Sequence, residues 1–100
     1  MQTDWAVYSN PEGPGFLLDV QSSLLSQMNT RVVVPLLPVD GAPGKISRLH
    51  PVFMISGKNH LMATHLIAAV PVTLLKDQRG SLSDRHDAIT SALDMLFHGF

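Results

Sequence analysis

The chain has 100 residues, 45% of them hydrophobic and 15% charged, and this composition predicts one small globular domain, residues 1–100, with its own core. Its formal net charge of -1, without a block of like charges, argues against a dedicated nucleic-acid-binding protein, which normally carries a basic surface. The lack of cysteine excludes disulfides and cysteine-ligated metal sites. Because Asp4 and Trp5 are unlike the start of a signal peptide, and no apolar run approaches about 18 residues, we expect a cytoplasmic protein.

Six short stretches rich in β-branched, aromatic and other apolar residues predict β-strands. They are residues 4–8, 16–20, 30–37, 51–55, 60–63 and 70–75. In the third stretch, three consecutive valines suit a strand that is buried on both faces. Pro35 in the same stretch has no N–H to donate, so the strand must have an edge, a bulge or a bend there. Residues 56–59 predict a tight turn that joins the fourth and fifth strands into a hairpin.

The connections between these strands are defined by their turn-forming residues. Prolines and glycines predict loops at residues 9–15 and 38–44. Residues 21–29 predict a loop or a wide connection in which a single helical turn is possible. Residues 64–69 fit either a short helix or a loop, and residues 76–81 predict a charged link to the last element.

Residues 82–100 contain the one convincing helix of the sequence. Apolar residues at helical spacing form one stripe along it, made of Ile89, Ala92, Leu93, Leu96 and Phe100. Ser83 is placed to cap the N-terminus of the helix, and Gly99 is placed to end it in the left-handed conformation. Many short strands followed by one helix indicate an antiparallel barrel or sandwich with the helix packed on it.

The last residues allow two interpretations. In the first, Phe97 and Phe100 both pack into the core of the protein, as aromatic residues on helices usually do. In the second, Phe97 faces inward while His98, Gly99 and Phe100 form a tip for a partner, which would hold an end of the chain that otherwise frays.

The sequence shows no established catalytic or cofactor-binding motif. It lacks a phosphate-binding loop, a dinucleotide fingerprint and a Gly-x-Ser-x-Gly elbow. No two of its five histidines have the four-residue spacing of a helical metal site, so we expect no metal and no cofactor. A few common residues could gather around a phosphate, but we expect them to be surface charges or strand-end hydrogen-bonding groups. They are Asp19, Arg31, Arg48 and His50.

A series of segments carries a resemblance that runs along nearly the whole chain. The segments are Leu18-Asp19-Val20-Gln21-Ser22, Thr30-Arg31-Val32-Val33-Val34-Pro35-Leu36, Lys45-Ile46-Ser47-Arg48, Val70-Pro71-Val72, Leu82-Ser83 and the Phe-x-Gly-aromatic ending at residues 97–100. In order and spacing they are similar to segments of the CcdB family. These proteins are the toxins of CcdA–CcdB toxin–antitoxin modules and poison bacterial DNA gyrase.

The resemblance implies both a fold and a mode of action. The fold would be a mainly β, SH3-like antiparallel barrel of five strands, with a small accessory sheet and one C-terminal helix. Two copies would form a homodimer with their C-terminal helices close together at the two-fold axis. The dimer would bind the A subunit of gyrase and trap the cleavage complex, so the protein would be an inhibitor and not an enzyme. A CcdA-like antitoxin would bind at the loops 9–15 and 38–44 and neutralise the protein. The protein would contact DNA only indirectly, through gyrase or the toxin–antitoxin complex, and it would bind no membrane.

The resemblance also implies which residues contact gyrase. They are Leu24, Leu25, Asp94, His98, Gly99 and Phe100. The chain ends His98-Gly99-Phe100 where the best-known family member ends Trp-Gly-Ile, and Asp94 stands where asparagine is typical. Two alternatives accompany this hypothesis. One is an endoribonuclease of the MazF or Kid type, which shares the fold and needs an acid–base pair and cations around an RNA strand. The other is a homologue that has lost gyrase poisoning.

Overall fold

The computed structural model of the protein describes residues 3–41, 44 and 46–99. Within these ranges it contains seven strands, one α-helix and four 3-10 turns. The strands are β1 (Ala6–Ser9), β2 (Phe16–Asp19), β3 (Thr30–Pro38), β4 (Val52–Ile55), β5 (Lys58–Met62), β6 (Ala68–Pro71) and β7 (Gln78–Ser81). The helix is α1 (His86–His98), and the 3-10 turns are Ser23–Leu25, Thr64–Leu66, Val72–Leu74 and Ser83–Arg85.

The seven strands form one antiparallel sheet that curls into a half-barrel. Its main path runs β4-β5-β3-β2-β1-β7, and β6 pairs with β3 beside that path. The long strand β3 is therefore the centre of the sheet, with β2 on one side and β6 followed by β5 on the other. This architecture, mainly β with one C-terminal helix, confirms the predicted fold class.

Pro35 lies where β3 changes partners. Residues 30–33 pair with β6, and residues 36–38 pair with β5. The carbonyl of Pro35 points into the gap between these partners and accepts a hydrogen bond from the N–H of Ala63 at 2.9 Å. Because the nitrogen and carbonyl of a strand residue point to the same side, the missing N–H of the proline also falls in this gap, where no ladder bond is lost.

The curled sheet and one face of α1 enclose a single hydrophobic core. On the helix, Ile89 and Ala92 are fully buried and Leu93 is nearly so, while Leu96 is half-buried at the end of the predicted stripe. The buried cluster consists of Trp5, Val7, Leu18, Val20, Val34, Leu36, Phe53, Met62, Leu82, Ile89, Ala92 and Leu93. Phe100, which was predicted to continue the stripe, lies outside the described residues, as do Ala42 and Pro43 of the predicted loop 38–44.

The sequence predicts most connections correctly. The structure contains the predicted hairpin, with the turn at Ser56 and Gly57 between β4 and β5. The connection at residues 21–29 contains the single helical turn Ser23–Leu25. The segment 64–69 begins with the helical turn Thr64–Leu66 and then enters β6.

Two predictions near the end of the sheet are wrong. Residues 76–81 are not only a link, because Gln78–Ser81 form β7 and pair with β1 at the edge of the sheet. The predicted strand 70–75 is instead the end of β6 followed by the 3-10 turn Val72–Leu74. In that turn the N–H of Leu75 donates to the carbonyl of Val72 at 3.0 Å. The N–H of Leu75 is thus bonded within the turn and not to a neighbouring strand, and the strand ends.

The predicted N-cap of the helix is also wrong. Ser83 begins the 3-10 turn Ser83–Arg85, and α1 starts only at His86. The chain makes this tight turn first because the N–H of Arg85 bonds to the carbonyl of Leu82 at 2.9 Å, while the N–H of Leu82 is held by Trp5. No side chain caps the N-terminus of α1.

Candidate functional site

The C-terminal end of α1 holds three of the six residues that the resemblance assigns to gyrase contact. Asp94 and His98 are exposed and lie one helical turn apart, so their side chains emerge on the same face. Gly99 ends the helix with a φ of 76°, and its N–H donates to the carbonyl of Met95 at 3.0 Å. This left-handed end confirms the predicted stop at Gly99. Phe100 lies outside the described residues.

Phe97 does not face the core, contrary to both interpretations of the sequence. Phe97 is 64% exposed. The reason is that the buried stripe of α1 continues through Leu96, which is itself only half-buried, so the protein no longer covers the last turn of the helix. The end of α1 therefore presents a large aromatic surface next to His98.

Leu24 and Leu25 lie at the tip of the loop between β2 and β3. Leu24 is 81% exposed and Leu25 is 49% exposed. They stand on the 3-10 turn Ser23–Leu25, which Ser22 caps by accepting the N–H of Leu24 at 3.2 Å on its hydroxyl. The N–H of Leu25 donates to the carbonyl of Ser22 at 3.0 Å. A short, closed turn thus carries two leucines into solvent.

A largely buried ion pair supports this loop at its base. Arg31 Nη2 lies 2.8 Å from Asp19 Oδ2, and the two side chains are only 12% and 9% exposed. The same guanidinium reaches the loop carbonyls of Leu25 and Gln21, each at 3.5 Å. The second carboxylate oxygen of Asp19 accepts the N–H of Gln21 at 3.0 Å. The pair therefore connects the ends of β2 and β3 to the backbone of the loop.

Gln21 completes this support with its side chain. Its Oε1 accepts the N–H of Val32 at 2.9 Å, and its Nε2 donates to the carbonyls of Leu25 and Thr30, each at 3.3 Å. The amide thus takes the place of a strand partner where β2 has ended. We call Asp19, Gln21 and Arg31 together the loop support.

The four residues that could have gathered around a phosphate do not come together. Asp19 and Arg31 bond to each other, Arg48 Nε donates to Ser91 on α1 at 2.6 Å, and His50 Nε2 lies 2.8 Å from His65 Nδ1. Each makes a structural hydrogen bond, as the sequence predicted. Sequence reasoning missed the role of Gln21, whose only signal was its place between a strand end and the following loop.

Among residues 3–41, 44 and 46–99, no three or more histidine, aspartate or glutamate side chains lie together as a metal site would require. The helix of the described part of the chain is too short and too polar to cross a membrane.

Comparison with known protein families supports the resemblance seen in the sequence. A family model described as CcdB protein matches residues 4–99. The match includes both strands that flank the exposed leucines and the whole of α1. The chain therefore belongs to the CcdB family, the toxins of CcdA–CcdB modules.

Proposed function

We propose that this CcdB-family protein poisons bacterial DNA gyrase, by binding the A subunit and trapping the cleavage complex, until a CcdA-like antitoxin neutralises it. In this proposal the protein is a cytoplasmic homodimer that acts by binding and catalyses no reaction. The observation that carries the proposal is the exposure of Leu24, Leu25, Asp94, His98 and Gly99, the described residues that the resemblance assigns to gyrase contact. Phe100 belongs to the same proposed contact.

The two exposed leucines fit the role of contact residues on energetic grounds. Covering a leucine side chain that otherwise remains in water contributes about 1.5–3 kcal/mol. The loop support holds the turn Ser23–Leu25 in place before any partner arrives, so binding loses little conformational entropy there. In a two-fold dimer each contact would occur twice and would match a target that is itself symmetric.

Phe97 extends the proposed contact at the end of α1. His98 offers a smaller ring than the tryptophan of the best-known family member, so it buries less apolar area and has a smaller π-face for an arginine. Phe97, which is 64% exposed, stands beside it and supplies a second aromatic surface. Aromatic side chains of this kind dominate the energetics of many interfaces. We therefore add Phe97 to the proposed gyrase-binding residues.

The charges near the loop support argue against the ribonuclease alternative. A cavity of about 290 Å³ opens beside Asp19 and Arg31, and Asp4 and Tyr8 also line it. Among its described lining residues, two carboxylates face one guanidinium, and that guanidinium is already paired with Asp19. Such a site repels the phosphates of an RNA strand, which bind where cations are in excess.

Binding to the purified gyrase A subunit tests the proposed surface. We expect Leu24→Ser to weaken binding by at least about tenfold, because the lost contact is worth about 1.5 kcal/mol or more. Met54→Ser is the matched control, because Met54 is 61% exposed on β4, outside the proposed contact. Equal binding by both variants would contradict the surface. Cleavage of RNA by the protein without gyrase would favour the ribonuclease instead.

A further inference from the structure

The imidazole rings of two histidines form a hydrogen bond on the surface of the protein. His50 Nε2 and His65 Nδ1 are 2.8 Å apart, and the two ring planes stand at 74° to each other. His65 is exposed and His50 is half-buried, so the pair is open to solvent. Neither ring takes part in the proposed contact with gyrase.

The backbone beneath the pair is held firmly. The hydroxyl of Thr64, which is fully buried, donates to the carbonyl of Leu49 at 2.6 Å and so joins the two residues that precede the histidines. The N–H of His50 is accepted by the hydroxyl of Ser47 at 3.1 Å. Ala63, which directly precedes Thr64, donates its N–H to the carbonyl of Pro35 on the central strand β3. Both imidazoles therefore start from rigid positions, which lowers the entropy cost of binding a shared ligand.

We propose that His50 and His65 form a surface site for one Cu²⁺ or Ni²⁺ ion, with Nε2 of the first and Nδ1 of the second as ligands. Neutral imidazole is the commonest protein ligand for metals and suits both ions. Metal–nitrogen bonds of about 2.05 Å at an angle of about 90° place two nitrogens about 2.9 Å apart, so the rings, now 2.8 Å apart in a hydrogen bond, need only turn their lone pairs toward the ion and do not have to separate. An angle of about 90° is the one between neighbouring ligands of a square-planar or octahedral ion.

Zinc suits this pair less well than Cu²⁺ or Ni²⁺ does. A tetrahedral ion needs its two nitrogens about 3.3 Å apart, and structural zinc sites use four protein ligands. Here the described residues provide two ligands, and water fills the remaining positions of the ion. The site therefore binds an exchangeable ion and does not hold the fold together.

When both rings are neutral, metal binding requires a change of tautomer in one ring and releases no proton. In the free pair, one ring donates its N–H to the other across the 2.8 Å contact. In the metal-bound pair, both of these nitrogens are bare, and each neutral ring carries its proton on the other nitrogen. The nearby charges favour a bound cation. The carboxylate of Asp40 lines the same hollow as His50, and the guanidinium of Arg48 is bonded to Ser91 on α1.

Titration of untagged protein with CuCl₂ or NiCl₂ tests the site, with calorimetry for stoichiometry and electron paramagnetic resonance for the ligands of Cu²⁺. We expect one ion per chain at this site and a copper spectrum with coupling to two nitrogens. His50→Gln and His65→Asn place an amide where the ligating nitrogen stood, so they can keep the contact to the other ring while losing chelation. Each should lower the affinity by at least about tenfold, a loss that is typical even when a residue that only orients a metal ligand is removed.

Two controls make the result decisive. His98→Asn removes an exposed histidine elsewhere and should leave copper binding unchanged. Thermal melting without metal establishes that the variants are folded. The proposal is overturned if folded His50→Gln and His65→Asn bind copper as wild type does, if the spectrum shows a single nitrogen, or if His98→Asn abolishes binding.

Discussion

The loop that carries Leu24 and Leu25 should depend on the side chain of Gln21. Replacing Gln21 with alanine removes three hydrogen bonds and leaves the N–H of Val32 without its partner at 2.9 Å. The bond to Val32 is partly buried, and losing it costs about 1 kcal/mol, while the two exposed bonds at 3.3 Å are each worth about 0.5 kcal/mol. We therefore expect Gln21→Ala to lower the free energy of unfolding by about 2 kcal/mol.

Urea denaturation of Gln21→Ala measures this change directly, and thermal melting should show a fall of about 10 °C for a domain of this size. Gln78→Ala is the matched control, because the side chain of Gln78 makes one exposed bond of 3.3 Å to Gly80. The control should lose no more than about 0.5 kcal/mol. If the two variants were equally stable, Gln21 would not support the loop. We also expect Gln21→Ala to bind gyrase more weakly, because the freed loop must be ordered on binding.

Two further predictions concern a glycine and a carboxylate. Gly15→Ala should cost at least about 2 kcal/mol in denaturation, because its φ is 92° and a Cβ would stand 2.2 Å from the carbonyl oxygen of Leu36. Gly57→Ala, with a φ of 77° but no atom within 4 Å of a Cβ, should cost only about 1 kcal/mol, and equal losses would refute the clash. Ser9→Ala should raise the pKa of Asp77, which is lowered mainly by the hydrogen bond from Ser9 and then by a nearby arginine. The carboxylate of Asp77 thus favours the fold at neutral pH and loses that effect as the pH falls through its lowered pKa; an unchanged NMR titration in the variant would contradict this role.

The sequence predicts those elements whose apolar pattern reports burial. Strands β2 and β3 carry apolar runs that pack into the core, and the stripe through Ile89 and Leu93 lies where the helix period places it. Strand β7 was missed because all four of its residues are exposed, and it is held in the sheet by backbone pairing with β1 and by the hydrogen bond from the Ser81 hydroxyl to the carbonyl of Asp4. Such a strand leaves no periodic signal in its own residues.

At the candidate site, too, the sequence pattern does not predict contacts between residues that are distant along the chain. The resemblance predicts that Leu24 and Leu25 contact gyrase, and the structure shows that both are exposed. The role of Gln21 depends on partners that lie four, nine and eleven residues away, and the pairing of His50 with His65 spans 15 residues and three elements. These contacts follow from the way the strands are connected, which a local pattern does not specify.

The most direct test of the proposed function is a cleavage assay with purified gyrase, ATP and supercoiled plasmid. We predict that wild-type protein causes linear DNA, covalently attached to gyrase, to accumulate, and that a variant lacking residues 98–100 does not, although it melts at the same temperature. Absence of linear DNA at high excess of wild-type protein, or full activity of the folded truncated variant, would contradict this prediction.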